Sequence, residues 1–282
     1  MKLFNFHTHS AYCDGSDQPE AYVKEAIRQG FYALGFSSHS PLPFSNSFAV
    51  QSESILLAYA EEIRRLKMIY ASQINIYLGL EIDFIPEVSK PFDFFREFAG
   101  LDYAIGGVHL IKKQGTEALW FIDGPRQESY DEGMKLLYGD DVQSAVTAYW
   151  KQIREMLLTQ KPDVVAHLDK IKMHNHNRFF REDEKWYENQ LGETLELIAE
   201  TGVIVEVNTR GIYKGRSEEL FPGTQALKKI HHMGIPITLS ADAHRPEELS
   251  GYFPQTLQLL KSIGFTELMM FTGENWQPEK LD

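Results

Sequence analysis

The sequence is poor in cysteine, in positive charge and in long apolar runs. One cysteine in 282 residues leaves no intramolecular disulfide framework and no all-cysteine metal site. Lys plus Arg number 28 against 40 Asp plus Glu, a formal net charge of −12. A nucleic-acid binder needs a basic face, and none is signalled. The same balance gives no general attraction to anionic membranes. No run approaches the roughly 20 apolar residues of a membrane span. The start, Met1-Lys-Leu-Phe-Asn-Phe-His7, turns polar at once and lacks the apolar core of a secretory signal. These absences lead to the expectation of a soluble, cytoplasmic protein without nucleic-acid or membrane partners. Linkers, low-complexity segments, charge blocks and fixed-period helical repeats are missing too, so one domain over 1–282 is the simplest organisation.

What is present is a chain able to build a core. Hydrophobic residues make up 43% and aromatics 12%, too apolar for a disordered chain. Short β-rich runs alternate with longer helical stretches. The pattern predicts strands at 3–6, 33–37, 75–82, 103–108, 163–166, 203–207 and 235–239, with 267–271 as an eighth and last. Helices are expected at 19–29, 52–71, 92–98, 142–160, 184–201, 224–233 and 253–262. In 52–71, Ile55, Tyr59, Ile63 and Leu66 share one face. The stretches 112–141 and 175–183 read as loops. Strand–helix alternation predicts a parallel α/β sheet, and seven or eight units suit a closed, TIM-like barrel better than an open sheet.

Ten histidines stand beside the one cysteine, and their placement is informative. His7 and His9 follow the first strand and His39 the second. Glu81 ends the third, His109 the fourth and His167 the fifth, while Asp242 and His244 follow the seventh. In a parallel barrel all strand C-termini open on one face, where the active site lies. Each piece alone is weak. His7-Thr-His9 and Asp242-Ala-His244 have i, i+2 spacing, which turns both side chains to one face. A single histidine such as His39, His109 or His167, taken alone, reads first as a hydrogen-bonded core residue. Glu81 sits in the apolar run Leu78-Gly-Leu-Glu-Ile-Asp-Phe84, where a carboxylate needs an ion pair or a metal. Together the eight point to a metal site. Imidazole with carboxylate suits Zn, Mn or Fe, and eight ligands suit two or three divalent ions with Glu81 bridging two of them. Such a cluster activates a water and holds a phosphoryl oxygen.

These motifs resemble the PHP (polymerase and histidinol phosphatase) family over nearly the whole chain. Phe6-His-Thr-His-Ser-Ala-Tyr-Cys-Asp-Gly15 is similar to its first motif, in the form found in the histidinol-phosphatase branch. Gly35-Phe-Ser-Ser-His-Ser-Pro-Leu-Pro43 is similar to the second. Gly79-Leu-Glu-Ile-Asp83, Gly106-Gly-Val-His109, Val165-Ala-His-Leu-Asp169, Glu206-Val-Asn-Thr209 and Ser240-Ala-Asp-Ala-His244 complete the series in order. The resemblance implies a distorted (β/α)7 barrel with a trinuclear centre at the C-terminal ends of its strands. It places His7, His9, Glu81 and Asp242 on one ion, and Glu81, His109 and His167 on a second. His39, His244 and a residue near position 14 fall on a third. Asp14 stands where the branch usually has His. The implied reaction is hydrolysis of L-histidinol phosphate to L-histidinol and phosphate, a step of histidine biosynthesis.

The ligand surplus, with no nucleophile motif, points to direct attack by a metal-bound hydroxide. Glu81 bridges, and Asp242 or His244 relays the proton. Phosphate wants an Arg fork at the barrel mouth. Of Arg178, Arg181, Arg210 and Arg245, the expectation ranks Arg210 first and Arg178 next. His174 and His176 read as surface or substrate-contacting, and His231 and His232 as a basic helix end. Cys13 by itself reads as a thiolate ligand or nucleophile, and the resemblance implies site packing instead. Tyr12, Phe44 and Trp120 line a substrate pocket on one reading and are ordinary core or loop aromatics on the other. Three alternatives stand: a PHP phosphoesterase for another phosphorylated small molecule or nucleotide, an amidohydrolase, and a non-catalytic metal-stabilised module. Nothing in the sequence sets the oligomeric state.

Overall fold

Each strand of the main sheet is buried on both faces, which is why these segments read as nearly unbroken apolar runs. The structure, a computed structural model, describes residues 1–139 and 141–281. In chain order the elements are β1 (Phe4–Asn5), α1 (Pro19–Gln29), β2 (Ala33–Phe36), α2 (Glu53–Ile69), β3 (Asn75–Asp83), α3 (Phe92–Ala99) and β4 (Tyr103–Gly107). Then come β5 (Leu110–Lys112), β6 (Leu119–Phe121), α4 (Gln127–Tyr138), α5 (Val142–Gln160), β7 (Val164–Val165) and α6 (Lys185–Thr201). The chain continues with β8 (Ile204–Asn208), α7 (Arg210–Tyr213), α8 (Thr224–His232), β9 (Ile237–Ser240), α9 (Phe253–Ile263), β10 (Glu267–Phe271) and β11 (Trp276–Lys280).

Seven strands form one parallel sheet in the order β1-β2-β3-β4-β7-β8-β9. Its two ends meet through a parallel bridge between Thr8 and Ala243, so the barrel is nearly closed. His9 N–H donates to the Ala243 carbonyl at 2.8 Å, and Ala243 N–H to the His7 carbonyl at 3.2 Å. Inside, the Tyr103 ring crosses the barrel and its hydroxyl donates to the Phe6 carbonyl at 2.6 Å. A Cβ on Gly79 would stand 2.3 Å from that ring, so the strand needs glycine there.

The helices follow ordinary signals. α1 opens on Pro19 and closes on left-handed Gly30. α2 is capped by Ser52, whose side chain accepts from Ile55 N–H. Its buried stripe is Leu56, Tyr59, Ala60, Ile63 and Leu66, so the expected face is off by one residue at its start: Leu56 is inside and Ile55 is exposed. No helix among the described residues is long and apolar enough to cross a membrane.

Two expectations are corrected. Residues 267–271 form a strand, but not an eighth barrel stave. β10 pairs antiparallel with β11 in a separate hairpin. Closure between β1 and β9 leaves no free edge for it to join. Phe271 and Trp276 pack on Tyr103 instead, and Trp276 lies edge-on to Phe6. The stretch 112–141 is not a plain loop either. Its residues contribute to the β5–β6 hairpin and to α4, with Trp120 buried against Tyr130. Trp120 therefore belongs to the core of this insertion and not to a substrate pocket.

Candidate metal centre

The register of the sheet brings the polar strand ends together. β3 pairs with β4 so that Glu81 lies beside Ile105, and an isolated bridge sets His39 beside Glu81. All nine residues expected as ligands fall into overlapping groups whose donor atoms lie within 4.8 Å of one another. His7, His9 and Asp242 form one group; Glu81, His109 and His167 a second; His9, Asp14, His39 and His244 a third. A fourth joins His39 and His109 to Asp83, a residue the sequence reading did not assign.

Glu81 stands between the first two groups. Its Oε2 is 3.1 Å from His7 Nε2 and 3.4 Å from His9 Nε2. Its Oε1 is 3.0 Å from His167 Nε2 and 3.4 Å from His109 Nε2. Asp242 Oδ1 lies 3.3 Å from His9 Nε2, and His244 Nε2 lies 3.2 Å from Asp14 Oδ2. Ligands held about 2.1 Å from a shared ion stand about 3.0–3.4 Å apart, so these spacings fit metal sites. Unpartnered buried atoms fit as well: His39 Nδ1, Asp83 Oδ2 and Asp242 Oδ1 have no hydrogen-bond partner. Gly107 keeps the space open. A Cβ there would stand 3.2 Å from Glu81 Oε1 and 3.1 Å from His109 Cε1.

Supporting contacts set which ring nitrogen is free. His7 Nδ1–H donates to Glu206 and His109 Nδ1–H to Asp83. Each leaves Nε2 turned inward, the carboxylate–histidine arrangement that orients metal ligands. Glu206 also accepts from Ser240, from Asn208 and from His167 N–H. Sequence reasoning missed both carboxylates. Signals existed: Glu206 interrupts the apolar run of β8, and Asp83 lies i+2 from Glu81 on the same face. Two candidate ligands, His167 and Asp242, hold left-handed backbone at φ 28° and 51°. Such strain costs roughly 1–3 kcal/mol each and collects at functional sites.

The electrostatics follow from burial and crowding. Burial opposes charge on His7, yet Glu206, Glu81 and Asp242 outweigh it and raise the imidazole to about 10. His109 is likewise raised to about 10 against its burial, by Asp83, Asp123 and Glu81. Glu81 and Asp242 stay well below the usual carboxylate range despite burial, because imidazoles surround them. His244 is pushed down to about 4 by burial and by neighbouring His9. The carboxylates are thus anionic at neutral pH, as metal ligation requires.

A cavity of about 260 Å³ opens over these groups. Arg210 lines it, 11% exposed, with Nη1 donating to the Asp242 carbonyl at 2.7 Å and 2.6 Å from His244 Nδ1. Arg178 is not brought here. Asp131 holds it in a two-pronged pair at 2.7 Å, and it also donates to the His174 carbonyl. The expected phosphate role for Arg178 is therefore withdrawn. The other cations on the cavity wall are Lys170 and Arg216, and its aromatics are Phe48 and Phe121, not Tyr12, Phe44 or Trp120. His174 Nε2–H donates to the Gly124 carbonyl, and His231 stacks edge-on against Phe265 at the end of α8. Cys13 Sγ lies 3.4 Å from His9 Nδ1 and packs beside the first group.

Comparison with known proteins finds relatives over most of the chain. The PHP domain family matches residues 5–210. A protein of Deinococcus radiodurans named "Probable histidinol-phosphatase" is 26% identical over 270 residues, covering 93% of this chain and 94% of its own. The Bacillus subtilis histidinol-phosphatase is 25% identical over 273 residues, covering 89% of this chain and 97% of its own. A solved histidinol phosphate phosphatase from Lactococcus lactis, holding zinc, L-histidinol and phosphate, superposes with a TM-score of 0.68. It is 22% identical and covers 98% of this chain and 99% of its own, so it speaks for the fold.

Proposed function

Because this chain belongs to the PHP domain family, we propose that it is a metal-dependent phosphomonoesterase that hydrolyses L-histidinol phosphate to L-histidinol and phosphate. The observation that carries the reading is Glu81, which turns one oxygen to each of two histidine groups. That is the layout of a bridged multinuclear centre, and such centres suit displacement at phosphorus. The names of the relatives support the substrate, and the zinc, L-histidinol and phosphate of the Lactococcus lactis protein support both substrate and metal.

His7, His9 and Asp242 with Glu81 would hold one ion, and His109 and His167 with Glu81 a second. Asp14, His39 and His244 would hold a third. Zinc is the first metal to try, with Mn and Fe next. When bound, divalent ions acidify a water and neutralise phosphoryl oxygens. The chain's own residues do the rest. Asp242 or His244, both on the cavity wall, would pass the proton released by the attacking water to the leaving alkoxide. Arg210, Lys170 and Arg216 border the cavity and meet the phosphate oxygens. Asp242 is itself fixed from behind, since Asn208 Nδ2 donates to its Oδ2 at 3.2 Å.

The test is phosphate release from L-histidinol phosphate beside a panel of sugar, nucleotide and amino-acid phosphates, in samples stripped with EDTA and reloaded with Zn²⁺ or Mn²⁺. The expected result is preference for L-histidinol phosphate, abolished by stripping and restored by metal. Full activity in a metal-free sample, or trapping of a phosphorylated side chain, would refute the mechanism. Preference for another monoester would move the substrate.

A further inference from the structure

One wall of the cavity is not made by strand ends. It comes from the loop after β2 and from the segment that follows β6. Ile122 N–H donates to the His109 carbonyl at 3.0 Å, which fixes this segment beside the second metal group. Phe48 and Phe121 stack here at 5.4 Å between ring centroids, and His39 lies edge-on to Phe48. Beside these rings, on the same cavity wall, sits a carboxylate, Asp123. Its side chain is only 10% exposed, and its Oδ1 has no hydrogen-bond partner. Its Oδ2 forms a loose ion pair with Lys170 Nζ at 3.5 Å and lies 3.8 Å from His109 Nε2, both longer than a normal hydrogen bond.

A nearly buried carboxylate with unmet hydrogen-bonding capacity costs free energy that a cationic donor would recover. Beyond Lys170, which faces Oδ2 only, two cations could meet Oδ1. A metal ion is one, but Asp123 is in none of the groups whose donor atoms are close enough to share an ion, among the described residues. A ligand's ammonium is the other. On the proposed reading the substrate is the phosphate ester of an amino alcohol. Its ammonium lies roughly 4–5 Å from phosphorus by ordinary bond lengths. A phosphate drawn to Lys170 also takes that cation away from Asp123. Phe48 and Phe121 line the same cavity, and an ion pair strengthens where apolar surface displaces water.

We propose that Asp123 is the specificity residue that binds the ammonium group of the alcohol carried by the phosphate. The inference rests on the phosphomonoesterase reading and selects among its substrates. It predicts discrimination between an amine-bearing phosphate and the same phosphate without its amine.

The experiment compares kcat/KM for L-histidinol phosphate and for 3-(imidazol-4-yl)propyl phosphate, which lacks only the amine. Wild type, Asp123→Asn and Asp123→Glu are assayed with zinc, and their metal content is measured by mass spectrometry. In D123N the preference for the amine-bearing substrate should fall about ten- to a hundredfold, with metal content kept. D123E, which keeps the charge, should recover part of it. An unchanged preference overturns the inference. So does loss of metal from D123N, because the carboxylate would then serve the metal groups. Calorimetric titration of L-histidinol into the zinc-loaded protein reads the same contact without turnover. If wild type hydrolyses no phosphomonoester, the functional reading fails by itself. Weaker L-histidinol binding by D123N than by wild type would still support the subsite, and equal binding or none would sink it.

Discussion

Glu206 lies beneath His7 and takes up hydrogen bonds from His7, Ser240, Asn208 and the His167 amide. Replacing it with Gln keeps its size but removes the charge that orients His7 and balances the inner face. Glu206→Gln should therefore weaken metal binding about ten- to a hundredfold, read by competition with a chelating dye. Unchanged affinity would mean that His7 needs no such support. The candidate ligands other than Asp14 were legible because they follow strand ends, where barrel geometry makes convergence automatic. Glu206 and Asp83 were not legible as supporting residues. Their role depends on which imidazole nitrogen they touch, and that contact spans 199 residues for Glu206. Arg178 misled for the opposite reason. It follows a strand end in sequence, but Asp131, 47 residues away, holds it outside the cavity.

Lys172 shows how the elements around the mouth are tied. It lies just beyond β7, and its ammonium is 2.8 Å from Asp169, 3.1 Å from Glu182 before α6 and 3.2 Å from Glu219 before α8. Lys172 and Asp169 are 6% and 1% exposed, so that pair meets out of water, while Glu182 and Glu219 reach it from the surface. Lys172→Met would leave the Asp169 carboxylate buried without its cation. That should cost about 3–5 kcal/mol in urea denaturation, with partial recovery when Asp169→Asn is added. A loss near zero would show that the cluster relaxes into water. None of these pairings is written in local sequence. The strands and most helices are, because periodicity and caps act over a few residues. Residues 267–271 were rightly read as a strand, yet their partner is β11, whose Trp276-Gln-Pro-Glu-Lys280 has no apolar alternation to reveal it. The insertion hid its hairpin and α4 in the same way, since its three-residue strands are too short to show a period.

At the scale of the whole molecule, the barrel concentrates opposed charges at one end. Glu81, Asp242, Asp83 and Glu206 are buried together with five imidazoles that are at most 7% exposed. Without metal, these acids are balanced by protons on histidines such as His7 and His109, which are raised to about 10. Metal binding replaces those protons, so it is coupled to the folded state and to pH. An ion that binds only the folded chain stabilises it by about 2.7 kcal/mol at a hundred times its dissociation constant. For a chain of this size, with an unfolding entropy of about 0.6 kcal/mol/K, that is a rise in melting temperature of about 5 °C per site. Zn²⁺ added to stripped protein should therefore raise the melting temperature by at least that much at pH 7.5. The ions exchange against imidazole protons, so the increment should shrink as pH falls toward 5. Scanning fluorimetry at matched ionic strength reads both effects. A melting temperature indifferent to zinc would show that the clustered donors do not bind it, and a gain that grew on acidification would contradict the exchange of ions for protons.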